Sequence, residues 1–418
     1  MKHAIPFMLL LLLAAGLRAQ DTLRISLHQA DSLLVARNLS LIASQYEVDK
    51  AEARIIQQKL FSNPELYTEW NLYNPTQKQW LDAGAQGQKI IQLQQVFRIA
   101  GQRKTSIRIV QEEKQMTQWQ YYTLARNLRY ELHSRYYRVF FLNHAIRGIR
   151  SQLALLKNLI EVYTAQYQKG NISLQELTRL NSVYFGINDQ VNDTQADLLR
   201  LQETLQILLA DNRIIWPAPA AGENTFPKTD SLLVLSALQD KALVNRPEIK
   251  TAESYQAQRE LQYSLEKRQR VPNLMAGAVY DQAGSYVNNY TGVSAGLQIP
   301  LFNRNQGRIR EARLDIGQAK INLQSQQQEI VREVETAWNI VKLLRTQYES
   351  TGSEFEDLLG QLSRGLVSNY SKGNISLLEF TDLFEAYNSG IIRYNQLKAD
   401  LNNAYEELDY AVGEDVLR

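Results

Sequence analysis

The sequence predicts a mainly α-helical protein with a small β part, built as two copies of one unit. Three observations carry that reading. First, a twelve-residue pattern occurs twice, Tyr-Gln-Lys-Gly-Asn-Ile-Ser-Leu-Gln-Glu-Leu-Thr at 167–178 and Tyr-Ser-Lys-Gly-Asn-Ile-Ser-Leu-Leu-Glu-Phe-Thr at 370–381, with nine of twelve positions identical. Each copy interrupts a long helical pattern with Lys-Gly-Asn. Each then offers Ser173 or Ser376 with a glutamate three residues on, the capping box of a new helix. Second, helical periodicity runs unbroken for about 65 residues from Gln102, which at ~1.5 Å per residue is a rod on the order of 100 Å, far longer than a globular domain needs. Third, each half carries a pair of short alternating runs between its long helices.

The elements follow in order. Lys2 and His3 precede an apolar run, Ala4 to Leu17, that ends in small residues, so residues 1–19 read as a secretory signal peptide with the mature chain starting at Gln20. No later stretch supplies the ~20 apolar residues of a spanning helix. The first repeat, 20–212, starts with one helix from about Leu27 to Phe61. Strand-like runs follow at Leu66–Tyr73 and about 88–97, then the long helix to a tip near Lys169, then a helix from Ser173 to Ala210. In the first run Leu66, Thr68, Trp70 and Leu72 share one face and Tyr67, Glu69 and Asn71 the other. A proline-rich connector occupies 213–230.

The second repeat, 231–418, has the same order: a helix from about Asp230 to Arg270, runs at Leu274–Asp281 and Thr291–Leu301, a helix from Gly307 to a tip near Lys372, and a final helix to about Gly413. In the fourth run Thr291, Val293, Ala295, Leu297 and Ile299 alternate with Gly292, Ser294, Gly296 and Gln298. In the long helix, Ile309, Ala312, Ile316, Ala319, Leu323, Ile330, Val334, Ala337, Val341, Leu344 and Tyr348 recur in steps of three and four, a coiled-coil seam. A four-stranded sheet with one apolar face has open edges and does not seal itself in lipid. Several chains must therefore share one barrel, with two supplying about eight strands and three about twelve.

Composition excludes several function classes. There is no cysteine, hence no disulfide and no thiolate metal site. With 46 basic against 44 acidic residues and a net charge of +2, nothing points to a nucleic-acid partner. No phosphate loop, nucleophile elbow or paired acid and base is present, so the chain reads as a non-enzyme with no catalytic, cofactor or metal residues. His133 and His144 lie eleven apart on one helix, ~16 Å by helical rise and too far to share an ion. Both are assigned to packing or solvent.

Taken together, the two repeats, the strand pair within each, and the tips Tyr167-x-x-Gly170-Asn171 and Tyr370-x-x-Gly373-Asn374 resemble the outer membrane efflux protein, or TolC, family. Pro300-Leu301-Phe302-Asn303-Arg304-Asn305-Gln306-Gly307 is similar to the strand-to-helix return of its heavy-metal, CzcC-like branch, and Asn245-Arg246-Pro247-Glu248-Ile249 resembles the family's R-P-E-[IL] start of the second half. The resemblance implies a homotrimer: long coiled-coil helices forming an α-barrel across the periplasm, and four strands per chain completing a shared transmembrane β-barrel in outer-membrane lipid. It implies a periplasmic adaptor and an inner-membrane pump of the RND type as partners, and metal cations as cargo. Drug efflux and type I protein secretion are the alternative uses of such a duct, and a periplasmic coiled-coil adaptor is the remote one.

Carried over residue by residue, the resemblance places the adaptor-contacting tips at Lys169, Gly170, Asn171, Lys372, Gly373 and Asn374. It places the periplasmic entrance at Glu176, Tyr370, Glu379 and Asp382. Glu176 and Glu379 lie six residues after their tip glycines. Asp382 lies nine after Gly373, where the first repeat has Arg179. Ile375 stands where the family has a basic partner, and capping alone also explains Glu176 and Glu379.

Overall fold

The computed structural model describes residues 22–218, 234–285, 287–352 and 354–416; the expected signal peptide, 1–19, and most of the expected proline-rich connector lie outside them. The chain groups into two compact units. One comprises the residues up to Ala43, Thr123–Arg246 and Glu329 onward, and the other comprises Ser44–Tyr122 and Pro247–Gln328.

The first unit begins with β1, Thr22–Ile25, and α1, Leu27–Arg37, which is capped by a reciprocal Ser26–Gln29 box. The helix expected to run from Leu27 to Phe61 is broken at Asn38, and α2, Leu39–Gln58, starts beyond it. Asn38 has ψ 120°. Its Oδ1 accepts the Ser40 and Leu41 amides at 3.0 and 3.1 Å, while its Nδ2 donates to the Leu208 carbonyl at 2.9 Å. One asparagine thus ends one helix and caps the next.

The long rod is present as α3, Gln102–Gln168, 67 residues without a break. After the first tip comes α4, Leu174–Leu209, which ends on Ala210 in the left-handed region. Then β6, Ile214–Pro217, pairs in parallel with β1, Thr22 opposite Ile214 through Ile25 opposite Pro217. The start of the expected connector is therefore a strand. The unit continues with α5, Leu235–Asn245, and its core is aliphatic and aromatic: Leu132, Tyr136 and Ile146 of α3 and Leu180 and Leu198 of α4 are fully buried.

The second unit holds the sheet. Its strands are β2, Glu65–Trp70, β5, Lys89–Phe97, β7, Leu274–Asp281, and β8, Tyr290–Leu297, antiparallel throughout in the order β2-β5-β7-β8. Between β2 and β5 a small hairpin forms from β3, Tyr73–Asn74, and β4, Gln79–Trp80. The fourth strand stops at Leu297, so Ile299 and Leu301 lie outside it. Register decides what the sheet presents. Leu66, Leu93, Ala278 and Val293 stand opposite one another across the four strands, as do Thr68, Ile91, Tyr280 and Thr291. Directly opposed residues point to the same side, so the apolar faces expected separately in the first and fourth runs merge into one face. That face is bare within one chain, with Val293 91% and Leu66 67% exposed. The opposite face carries Glu65, Gln94, Gly277 and Ser294 in one row. β2 and β8 each pair on one side only.

The helix expected over 230–270 is divided: α5 ends at Asn245, its cap Arg246 is held extended at ψ 124° by the following proline, and α6 is Pro247–Arg268. The Asn303-Arg304-Asn305 turn then leads into α7, Gln306–Thr351. Asn305 sits at φ 58°, with its Nδ2 donating to the Glu266 carbonyl at 2.9 Å, so this segment is a turn fastened to the end of α6. Every residue of the expected seam, from Ile309 to Tyr348, is buried or half-buried. The helix expected to reach Lys372 stops at Thr351. Gly352 follows at φ 74°, and α8, Glu354–Ser371, resumes toward the second tip, where α9, Leu377–Val412, completes the fold. Among the described residues no helix is long and apolar enough to cross a membrane.

Candidate functional site: the two helical tips

Both tips have the same backbone, dictated by the shared Lys-Gly-Asn. At the first, the Gly170 amide donates to the Tyr167 carbonyl at 2.9 Å and the Asn171 amide to the Gln166 carbonyl at 3.0 Å. At the second, Gly373 donates to Tyr370 and Asn374 to Asn369, both at 2.9 Å. These paired bonds, three and five residues back, are a Schellman ending, with Gly170 at φ 76° and Gly373 at φ 72° in the position that favours glycine. Each tip asparagine adds a side-chain bond, Asn171 to Gln166 at 2.6 Å and Asn374 to Asn369 at 3.2 Å. Lys169, Gly170, Asn171, Lys372, Gly373 and Asn374 are all exposed.

A Cβ added to either glycine meets nothing within 4 Å. Steric clash is absent, so substitution costs only the left-handed backbone, ~1–2 kcal/mol. Gly170→Ala and Gly170→Leu should lower stability equally, and the same holds at Gly373. Thermal unfolding that penalises leucine much more than alanine would show a packed tip instead of an open one.

Glu176 and Glu379 complete reciprocal capping boxes. The Glu176 carboxylate accepts the Ser173 amide at 3.0 Å, and that of Glu379 accepts the Ser376 amide at 2.8 Å. The bonds from the Ser376 backbone and then its hydroxyl hold the Glu379 carboxyl below its ordinary range. Both acids therefore sit in the first turn of a helix, where the dipole also favours negative charge.

Tyr370 occupies a different setting from the two glutamates. It is 8% exposed, stacked on Phe380 at 4.6 Å and on Tyr163 at 5.7 Å between ring centroids, and Phe380 continues to Phe384 at 5.5 Å. Burial, and then the hydrogen bond with the Tyr163 hydroxyl, push its phenol above the ordinary range. Its side chain is a packing element joining α3 to α8 and α9, and it positions the tips from within.

Asp382 is exposed and faces a cation from the other repeat. Arg179 on α4 donates through Nε to Thr381 Oγ1 at 3.2 Å, and its Nη2 lies 3.8 Å from Asp382 Oδ1. The two residues stand nine positions after their respective tip glycines, so the substitution that breaks the repeat's symmetry supplies the partner. With side chains 45% and 66% exposed, the pair contributes at most ~1 kcal/mol. Its effect is on charge: one of the three acids expected at the entrance is partly neutralised within its own chain. Spacing did not reveal the pairing, although the equivalent positions did offer the hint. The stack of Tyr163, Phe380 and Phe384 was likewise missed. No group of three or more His, Asp or Glu able to hold a metal occurs among the described residues.

Comparisons with known proteins agree with this architecture. The family model described as "Outer membrane efflux protein" matches residues 238–414. The cobalt-zinc-cadmium resistance protein CzcC of Cupriavidus metallidurans is 20% identical over 391 residues, covering 93% of this chain and 90% of that protein. Among solved structures, the CmeC outer membrane channel of Campylobacter jejuni superposes with a TM-score of 0.74 at 14% identity, over 93% of this chain and 86% of that one. The open state of the MtrE outer membrane channel of Neisseria gonorrhoeae gives 0.72 at 14% identity, over 94% and 90%. Over residues 238–414, which hold the second strand pair and the second tip, the chain is similar to the outer membrane efflux protein family, and the channel structures share its fold over more than nine-tenths of its length.

Proposed function

We propose that three copies of this chain form one exit duct in the outer membrane, through which an efflux system passes metal cations out of the periplasm. The observation that carries this reading is the sheet with one bare apolar face and two open edges. β2 and β8, its outer strands, run in opposite directions, so β8 of one copy meets β2 of the next as an antiparallel pair and the ring closes without an edge. Three copies give about twelve strands, within the range of bacterial barrels. The apolar face then meets lipid, and the row with Glu65, Gln94 and Ser294 faces the lumen.

A duct of this kind performs no chemistry. Energy therefore comes from an inner-membrane pump of the RND type, joined by a periplasmic adaptor that docks on the exposed Lys-Gly-Asn tips. Metal cargo is supported by the similarity to a protein named for cobalt, zinc and cadmium resistance. Deleting the gene should raise sensitivity to those three cations while leaving drug tolerance and exported proteins unchanged. A phenotype confined to drugs or to secretion would refute the metal reading and keep the duct.

At the entrance, three copies each of Glu379 and Asp382 would set charged rings that favour cations in a confined passage. Arg179 tempers the second ring. Glu379→Gln with Asp382→Asn should lower cation selectivity in planar-bilayer recordings, whereas Arg179→Gln should raise it. Unchanged selectivity in both variants would leave the two acids as capping and surface groups alone.

A further inference from the structure

His133 of α3 takes no part in the tips or the sheet, yet it is 2% exposed and both its ring nitrogens face acids. Nδ1 lies 2.6 Å from Glu406 Oε2 on α9, and Nε2 lies 2.8 Å from Asp31 Oδ1 on α1. An ionised carboxylate only accepts, so each contact requires an N–H on the ring, and an imidazole carries both only as the imidazolium. Three chain segments, far apart in sequence, thus meet on one proton-bearing ring. One turn along α3, the buried Tyr136 hydroxyl donates to the Ile25 carbonyl at 3.0 Å, so the same helix face also holds the end of β1.

We propose that the His133 imidazolium is a proton-dependent clasp that fastens α1, and with it the β1 segment, to α3 and α9, and that alkaline pH opens it. The surrounding charges fit this role. On its own helix, Arg129 reaches Asp31 at 3.5 Å and Asp415 of the carboxy-terminal tail at 3.2 Å. Arg126 donates to the Tyr410 carbonyl at 2.9 Å and lies over the Tyr410 ring. On α9, Asp409 accepts the Val416 amide at 3.0 Å. With His133 neutral, Asp31, Glu406 and Asp415 share the charge of Arg129, and a ring nitrogen lone pair faces a carboxylate across a buried gap.

Burial alone would lower the pKa of this histidine, but the hydrogen bonds to Asp31 and then Glu406 outweigh it and raise the group from its ordinary 6.5 to about 9. A folded-state value above the unfolded one means that the stabilisation is complete below pH about 6.5 and is lost as pH rises through about 9.

The test uses the full mature chain in detergent, labelled at histidine Cε1. Beside His133 a chain starting at Gln20 carries His28 and His144, and the His133→Gln spectrum identifies the His133 signal by its disappearance. A doubly protonated His133 at pH 7.5, titrating near pH 9, is the expected result. A neutral ring at pH 7.5 would overturn the clasp. Independently, wild type should unfold at a higher temperature than His133→Gln at pH 7, with the gap closing by pH 10. Protease should cut within α1 of wild type at pH 10 and not at pH 7. A gap that does not change with pH, or equal protection of α1 at both pH values, would reduce His133 to ordinary packing.

Discussion

Val293→Arg should remove the chain from the outer membrane, while Ser294→Arg one residue away should leave it there. Val293 is the most exposed large residue of the sheet face, level with Leu66, Leu93 and Ala278 on the other three strands. If that face meets lipid, an arginine there costs ~2–4 kcal/mol near the bilayer midplane, and every copy in the ring carries the cost. Ser294 shares its row with Gly277, Gln94 and Glu65 on the opposite face, where an added arginine meets water and acids. Fractionation and heat-resistant oligomer on gels give the readout. Equal insertion of both variants would mean that the bare face is covered by something other than lipid.

The second large effect is expected at Phe380. It is fully buried, stacked on Tyr370 and tilted against Phe384, so Phe380→Ala removes a ring from the contact between α8 and α9 just beyond the second tip. Loss of transfer energy together with the cavity left behind is worth roughly 3–5 kcal/mol for such a truncation. The thermal midpoint should drop, and the loosened tip should leak, raising resting conductance. Phe380→Leu, which keeps most of the volume, should recover much of both. A variant with wild-type stability and conductance would show that the aromatic stack does not hold the tip.

What the chain revealed before its structure was mostly local. Lys-Gly-Asn followed by Ser-x-x-Glu specifies a Schellman ending and a capping box within ten residues, and both tips form them. Period-two alternation located all four long strands, because the side that each residue takes is a local property. The breaks at Asn38, Arg246 and Gly352 were also local in cause. They were overridden by the apolar periodicity on either side, which continues across a single capping residue, a pre-proline or a left-handed glycine. The β1–β6 pair was not legible, since a four-residue parallel pairing depends on bringing Thr22 beside Ile214.

The site was legible to the same degree. The tip glycines and capping glutamates could be named from spacing, but Tyr370 could not be placed in its stack with Tyr163, and Asp382 could not be matched to Arg179. The partners of His133 lie 102 and 273 residues away, which no spacing rule reaches. The register of the sheet is a further result of the structure: it turned separate alternations into one continuous apolar face, and it left β2 and β8 as the edges to be joined.

The joining of those edges can be measured directly, because the chain has no cysteine of its own. Single cysteines introduced in β2, at Thr68, and in β8, at Thr291, Val293 or Ala295 in turn, test whether the two edges meet between copies. If three chains share one barrel, oxidation of the pair in register should give a covalent species of three chains in outer-membrane preparations, and neither single cysteine should give it. A covalent dimer would mean an eight-stranded ring, and a chain that stays monomeric with every pair would contradict the shared barrel itself.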